Sequence, residues 1–359
     1  MIAALATALA VAAQAPPLPD PPGTVVARVD APTQVAARDG VAVFGATDPT
    51  ANATTLMRRD AAGGLGAVAV SPVPVPAFPS DRYLGVLEPP AFEVTLGAGP
   101  QGRLTAVYLR CPAPARSSCR LALADVATGA EQVVDGTGRA LRGAVAGSRV
   151  VFVRRDVDGI ERLYATRSTG GSPVALRLPR LLKRSALRRR KPQPIVRRDV
   201  RIAAVDVRGD DVAYVLNFPL PGTPELAESQ LWLDRGSAAP RMIARIGTGG
   251  ASAGFREFVG PRLERSSVVV YRQGRDQGSS VQRFSLRGRL LGSATLSAQP
   301  LLELEVTGGT YDRGHFFYST NPYQGTACAR FDFDEPRQTG TCPVLDFAPL
   351  RLAAPARRR

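Results

Sequence analysis

Apolar and polar positions follow a pattern that recurs about six times along the chain. In the clearest copy, residues 147–174, the segment 149–153 is rich in β-branched and aromatic residues, and the segment 160–166 alternates apolar and polar side chains. Both patterns are typical of strands, the first largely buried and the second half-covered. Asp158-Gly159 between them favours a tight hairpin turn, and Gly170-Gly171 leads into a third strand. Each copy therefore predicts a small antiparallel sheet.

The other copies repeat this order of elements with different side chains. Their predicted strands are 41–44, 54–59 and 67–70; 105–110, 120–126 and 131–134; 212–216, 230–234 and 241–246; 267–271, 281–286 and 290–296; and 315–319, 329–334 and 343–347. A single sheet of this kind cannot bury both faces, and radial repetition solves the problem by packing sheets around an axis. We predict an all-β protein, a β-propeller with six blades of three to four antiparallel strands.

The order of elements and the D-G, T-G and G-G turns resemble those of TolB-like and WD-repeat-type propellers. The clearest segments are DGVAVF at 39–44, LALADVATGAE at 121–131 and RLYATRSTGG at 162–171. The resemblance implies a ring whose N-terminal strand, residues 25–29, completes the last blade at residues 301–347. Two packed β-sandwiches would use similar strands and remain the alternative.

The first residues predict export. Residues 1–15 form an Ala-rich apolar run that ends in Ala13-Gln14-Ala15, which is typical of a signal peptide cleaved near Ala15. The run lacks the Lys or Arg that usually begins a signal peptide. Two other interpretations therefore remain: the true start lies upstream of Met1, or residues 1–15 are a disordered Ala-rich tail. A Pro-rich linker follows at 16–22, then one propeller domain at 23–350 and a basic tail at 351–359. No later run reaches the roughly 20 apolar residues of a membrane helix. We expect a secreted, periplasmic or cell-envelope protein without integral membrane insertion.

The four cysteines fit an oxidising compartment. Cys111 and Cys119 bracket one short loop, and Cys328 and Cys342 bracket a hairpin-sized segment, so these two local disulfides are the natural pairing among the three that four cysteines allow. A zinc site is the competing interpretation, but neither pair has the C-x₂-C spacing that such sites favour. The sequence predicts no cofactor.

A basic run at residues 180–198 is the strongest departure from the repeat. It contains no acidic residue, within a chain of net charge +15. Its nine basic residues are Arg180, Lys183, Arg184, Arg188, Arg189, Arg190, Lys191, Arg197 and Arg198. Such a run either is a solvated loop without specific function or binds a polyanion through salt-sensitive contacts. No aromatic residue interleaves it, so the run does not predict base stacking or specific nucleic-acid recognition.

Candidate catalytic residues are few. His315 is the sole histidine and comes directly before an apolar strand. It is either a structural residue at the start of that strand or a general base. Asp156 and Asp158 faintly resemble a calcium loop, although a hairpin turn explains them. Asp332 and Asp334, with Glu335 beside them, could share a strand face that holds a cation or simply face solvent. The sequence therefore predicts neither a catalytic residue nor a metal ligand.

Two classes of function remain after these observations. The first is a monomeric, non-enzymatic propeller that acts as a binding or scaffold module at the cell envelope, for an anionic polymer or a protein partner. The alternative is a propeller hydrolase or lyase that acts on a saccharide or lactone with acidic residues at the central channel. The second class requires carboxylates to converge on the axis.

Overall fold

The structure is a computed structural model that describes residues 23–48, 50–75, 92–111, 119–179, 200–219, 226–236, 239–247, 256–274, 279–296, 304–322 and 342–355. Its strands are β1 Thr24–Val29, β2 Ala36–Arg38, β3 Val41–Asp48, β4 Ala53–Arg59, β5 Leu65–Ala67, β6 Val73–Pro74, β7 Val94–Ala98, β8 Leu104–Arg110, β9 Arg120–Asp125, β10 Glu131–Val133, β11 Ala140–Ala146, β12 Arg149–Arg155, β13 Glu161–Arg167, β14 Val174–Ala175, β15 Arg201–Arg208, β16 Asp211–Pro219, β17 Leu226–Asp234, β18 Arg241–Gly247, β19 Arg256–Leu263, β20 Ser267–Gly274, β21 Ser280–Ser285, β22 Leu290–Thr295, β23 Leu304–Asp312, β24 His315–Pro322 and β25 Cys342–Phe347.

These strands form five hydrogen-bonded sheets. The largest sheet has eight strands and consists of two antiparallel halves that meet at one parallel pair, Ala98 with Ala146. Divided at that pair, the chain contains six units: blade 1 (β2 to β5, with β6 beside β4), blade 2 (β7 to β10), blade 3 (β11 to β14), blade 4 (β15 to β18), blade 5 (β19 to β22) and blade 6 (β23 to β25 with β1). The protein is an all-β propeller, as predicted.

Buried apolar clusters lie between neighbouring blades, and six of them close the circle from blade 1 through blade 6 and back to blade 1. The second strand of each blade contributes to two clusters at once. In β12, Val150 and Phe152 pack toward blade 2, whereas Val151 and Val153 pack toward blade 4. Because a strand alternates its side chains between two faces, burial on both faces requires an unbroken apolar run. This explains why these strands were the ones that the repeat predicted.

The two ends of the described chain pair with outer strands of blades 6 and 5. Strand β1 pairs antiparallel with β25 from Thr24 to Val29, so the N-terminal strand completes blade 6 and the predicted closure is confirmed. Ala353 pairs with Ser293 on the outer strand of blade 5 through two backbone hydrogen bonds of 2.9 and 3.0 Å. These pairings cover outer strands that would otherwise be open sheet edges.

The structure also changes details of the predicted repeat. The prediction omitted the first, innermost strand of each blade: β2, β7, β11, β15, β19 and β23. Residues 343–347 do form a strand, β25, but it is the third strand of blade 6 because β1 supplies the fourth. Residues 1–22, the basic run at 180–198, the predicted strand 329–334 with Asp332, Asp334 and Glu335, Cys328 and Arg357 to Arg359 lie outside the described residues. Among the described residues, no helix is long and apolar enough to cross a membrane.

Candidate functional site

The innermost strands of the six blades surround a cavity of about 190 Å³ at the centre of the ring. Its lining is rich in charged and amide side chains, although strand cores are usually apolar. The charged and amide residues that line it are Gln34, Glu93, Arg142, Arg155, Glu161, Arg201, Asp206, Asn217, Glu257 and Arg262. This cavity, called the channel below, is the place where the alternative hydrolase would need its acidic residues.

Arginines of the channel bind backbone carbonyls of neighbouring blades. Arg142 of blade 3 donates to the carbonyl of Ile202, 2.9 Å away in blade 4. Arg262 of blade 5 donates to the carbonyl of Tyr311 in blade 6 at 2.9 Å. Apart from the single pair between β7 and β11, the innermost strands have no described sheet partner on their channel side, so their carbonyl groups need such donors. These guanidinium groups therefore satisfy the free edges and join the blades.

Carboxylates of the channel accept hydrogen bonds from backbone N–H groups of neighbouring blades. Glu161 of blade 3 accepts from the N–H of Ile202 at 2.8 Å, and Asp206 of blade 4 accepts from the N–H of Leu263 at 2.6 Å. Burial raises the pKa of Asp206, while charges and backbone donors around it act in the opposite direction. A carboxylate that accepts from a neighbouring blade is thus a structural link between the two blades.

Ion pairs complete these links. Arg142 pairs with Glu93 of blade 2 at 3.1 Å, and Arg155 pairs with Glu161 at 3.0 Å. Arg262 binds Asp312, which is fully buried and also accepts from the N–H of Gly40 in blade 1 at 2.6 Å. Two channel-lining carboxylates, Glu93 and Glu161, therefore have arginine partners, and so does Asp312 outside the lining. These charges hold the ring together.

Glu257 of blade 5 differs from these carboxylates. It is 9% exposed and lines the channel, and its hydrogen-bond partner is the neutral Nδ2 of Asn217 in blade 4, 3.0 Å away. Burial raises the pKa of Glu257 to about 7, against the opposing effects of Asn217 and Arg142. A carboxyl group that titrates near neutral pH inside a cavity is a candidate functional group.

A second layer of hydrogen bonds holds Asn217 in place. Its Oδ1 accepts from the hydroxyl of Ser229 at 2.8 Å, and that hydroxyl oxygen accepts from the N–H of Phe258 at 3.1 Å. All three bonded groups are buried, so the amide of Asn217 has one orientation with its Nδ2 toward Glu257. Glu257 is thus positioned by residues from two blades.

His315 lies away from the channel, at the start of β24 as predicted. Its Nδ1 is 2.9 Å from Oδ1 of Asp346, and its ring stacks on Phe317 with a centroid separation of 5.6 Å. Arg59 of blade 1 reaches the same carboxylate at 3.3 Å. The cluster therefore joins blade 6 to blade 1 at the seam where the ring closes.

In the hairpin of blade 3, both aspartates are bonded to arginines and not arranged around a cation site. Asp156 pairs with Arg154 at 2.9 Å, and Arg162 binds both Asp156 and Asp158 at 2.5 and 2.6 Å. Gly159 adopts a positive φ of 78°, which the tight turn requires. These contacts support the hairpin interpretation over a calcium loop. Among the described residues, no group of three or more His, Cys, Asp or Glu side chains could hold a metal ion.

One predicted disulfide, Cys111–Cys119, is present and buried. Cys342 is also disulfide-bonded, but its predicted partner, Cys328, lies outside the described residues. Glu257, Asn217 and the channel arginines are absent from the sequence predictions. For Glu257, Arg142 and Arg262 the signal is the charged residue that recurs in the short Ala- or Gly-rich segment before each predicted strand pair. Asn217 and Arg155 lie on second strands, where this signal does not reach.

No protein-family model matches the chain, and no curated protein matches it. Its fold is similar to those of TolB from Acinetobacter baumannii (11% identity, TM-score 0.44, 87% of this chain), a gluconolactonase from Xanthomonas campestris (12%, 0.44, 91% of this chain and 95% of that one) and the β-propeller domain of the Trilobed protease from Pyrococcus furiosus (9%, 0.42, 81% and 90%). The chain spans 65% of the length of that TolB. All three are loose matches to β-propeller proteins.

Proposed function

We propose that the protein is a non-enzymatic, exported binding module that holds the basic run 180–198 on a rigid propeller at the cell envelope. The observation that carries this proposal is the use of the channel charges. Glu93, Glu161, Asp206 and Asp312 are each bonded to a neighbouring strand or blade, so these carboxylates stabilise the ring. A rigid ring whose channel charges bond one blade to the next suits a scaffold whose binding residues lie in its loops.

The basic run has a defined place in the chain order. It leaves blade 3 after β14 and precedes β15, the innermost strand of blade 4. With nine positive charges and no acidic residue, it would bind an anionic polymer mainly by releasing condensed counterions. We propose an acidic or phosphate-containing polymer of the cell envelope as the partner.

Export is part of the proposal. The buried disulfide Cys111–Cys119 supports an oxidising compartment, because cytosolic thiols are kept reduced. We propose that residues 1–15 are removed as a signal peptide. N-terminal sequencing of the protein from its native host should begin near Pro16; a cytosolic protein that retains residues 1–15 would contradict export.

The binding test compares two variants of equal charge change. One replaces Arg188, Arg189 and Arg190 by glutamine, and the control replaces Arg241, Arg287 and Arg289, which are exposed on blades 4 and 5. Both are measured for retention on immobilised inorganic polyphosphate as salt rises. The first variant should lose roughly two to three units of slope in log K against log salt, at about 0.7–0.9 per lost phosphate contact. Equal losses in both variants would show that net charge, and not the basic run, controls binding.

The hydrolase or lyase alternative rests on Glu257 alone among the described channel carboxylates. Its raised pKa would suit a general acid, but glycoside hydrolysis uses a pair of carboxyl groups. A panel of lactones and nitrophenyl glycosides tests it. Turnover that Glu257→Gln abolishes while the variant remains folded would favour the enzyme over the binding module.

A further inference from the structure

Two opposed residues of blade 5 each have an oxygen acceptor without a donor among the described residues, and Glu257 is the one of the two that lines the channel. Oε2 of Glu257 accepts from Asn217. Oε1 of Glu257 has no hydrogen-bond partner in the part of the chain that the structure describes. Oε1 of Gln273 is buried and likewise has no partner among the described residues, and its residue is 6% exposed. Glu257 and Gln273 are directly opposite each other on β19 and β20. Opposed residues of antiparallel strands share a face, with Cβ atoms about 4.5–5.5 Å apart.

Unpaired buried acceptors are costly, and the rest of the channel avoids them. The neighbouring carboxylates bind guanidinium or backbone N–H groups of the next blade. Glu257, by contrast, is held by the fixed chain of Asn217 and Ser229 and still directs an oxygen to the cavity. A buried carboxylate whose hydrogen-bond partner is a neutral amide gains most from a guest that brings a positive charge and N–H donors.

We propose that the channel binds a small primary ammonium ligand, with Glu257 as its counter-ion. A primary ammonium has a full positive charge, three donors and no acceptor, which suits a carboxylate with one free oxygen in the cavity. A guanidinium group brings five donors and needs more acceptors than the free oxygen of Glu257 supplies. Calcium would need six or more oxygen ligands. A cavity of about 190 Å³ accepts a small amine.

This site is independent of the proposed polymer binding and differs from it in salt dependence. The net charge of +15 repels an amine at long range, and added salt screens this repulsion. Contacts inside the cavity are screened much less. Amine affinity should therefore hold or rise with salt, whereas polymer retention falls. Deletion of residues 180–198 should leave the amine affinity within twofold of the intact chain.

The pH dependence follows from the groups around Glu257. Arg142 faces it from blade 3, Asn217 from blade 4 and Tyr271 from β20, and among these Arg142 carries the charge. Because burial raises the pKa of Glu257 to about 7, an ammonium must displace a proton below that pH. Affinity should rise about tenfold per pH unit up to pH 7 and level off above it.

The test uses propylammonium, titrated into the full chain at pH 8 by calorimetry. 1-Propanol matches its size without charge, and tetramethylammonium carries the charge without N–H donors. Only propylammonium should bind. Glu257→Gln should weaken it at least tenfold, whereas Asp210→Asn, which removes an exposed carboxylate, should change it less than twofold.

Three outcomes would overturn the proposal. They are absence of saturable propylammonium binding up to 10 mM (about 2.7 kcal/mol of affinity, by the usual conversion), equal binding of 1-propanol, and unchanged affinity in a folded Glu257→Gln variant. Circular dichroism establishes the folded state of each variant. If a variant fails to fold, the pH profile of the unaltered protein decides: a flat profile between pH 5 and 8 contradicts the role of Glu257.

Discussion

Replacing Glu257 by glutamine should change how the stability of the propeller depends on pH. In the folded protein the pKa of Glu257 rises from 4.5 to about 7, chiefly because the side chain is buried. Between these values the folded chain binds a proton that the unfolded chain has released. The stabilisation from the protonated carboxyl is therefore complete below pH 4.5 and is lost as the pH rises through 7.

The magnitude follows from the size of the rise. A change from 4.5 to about 7 corresponds to roughly 3 kcal/mol of unfolding free energy. Glutamine stays neutral at every pH and keeps a hydrogen bond to Asn217. Relative to the unaltered protein, Glu257→Gln should thus become more stable by about 3 kcal/mol between pH 4.5 and pH 8.

Urea unfolding monitored by the fluorescence of Trp232, the only tryptophan, measures this difference. Other titrating groups, Asp206 among them, act in both proteins and cancel. Asp210→Asn serves as the control, because Asp210 is exposed and should show a difference within about 0.5 kcal/mol across the same range. A stability difference for Glu257→Gln that stays constant from pH 4.5 to pH 8 would refute the reasoning.

Three further predictions concern the links between and within blades. Arg262→Met leaves the buried Asp312 without its cation and should cost about 3–5 kcal/mol in urea unfolding; a loss below about 1 kcal/mol would contradict a structural role. Cys119→Ser removes the disulfide across an eight-residue separation and should cost about 2–3 kcal/mol in urea unfolding; a loss below about 0.5 kcal/mol would contradict this role. Asp346→Asn removes the carboxylate at the seam between blades 6 and 1 and should cost about 1 kcal/mol, less at high salt; a salt-independent loss would argue against the ion pair.

The second strands of the blades were predictable from the sequence because both of their faces are buried. A strand buried on both faces must be apolar throughout, as in residues 150–153 of β12. Its hairpin turn needs Gly159 at positive φ, and such turns leave a clear mark in sequence. The closure by β1 followed from resemblance to other propellers, since nothing in residues 25–29 specifies β25 as the partner.

The innermost strands escaped prediction for the opposite reason. They approach one another closely at the axis, where a Cβ on Gly97 would collide with the carbonyl of Val145 in the next blade. Small residues and charged residues therefore replace the β-branched residues that usually indicate a strand. The partner of a channel charge often lies in another blade, as Glu257 and Asn217 show at a sequence separation of 40 residues. Sequence spacing carries no record of such a contact.

The salt dependence of binding to inorganic polyphosphate tests the proposed function most directly. The affinity of the full chain should fall linearly in log K against log salt, and deletion of residues 180–198 should remove most of that slope while Tm stays unchanged. An unchanged slope and affinity after the deletion would contradict the claim that this propeller is a scaffold for its basic run.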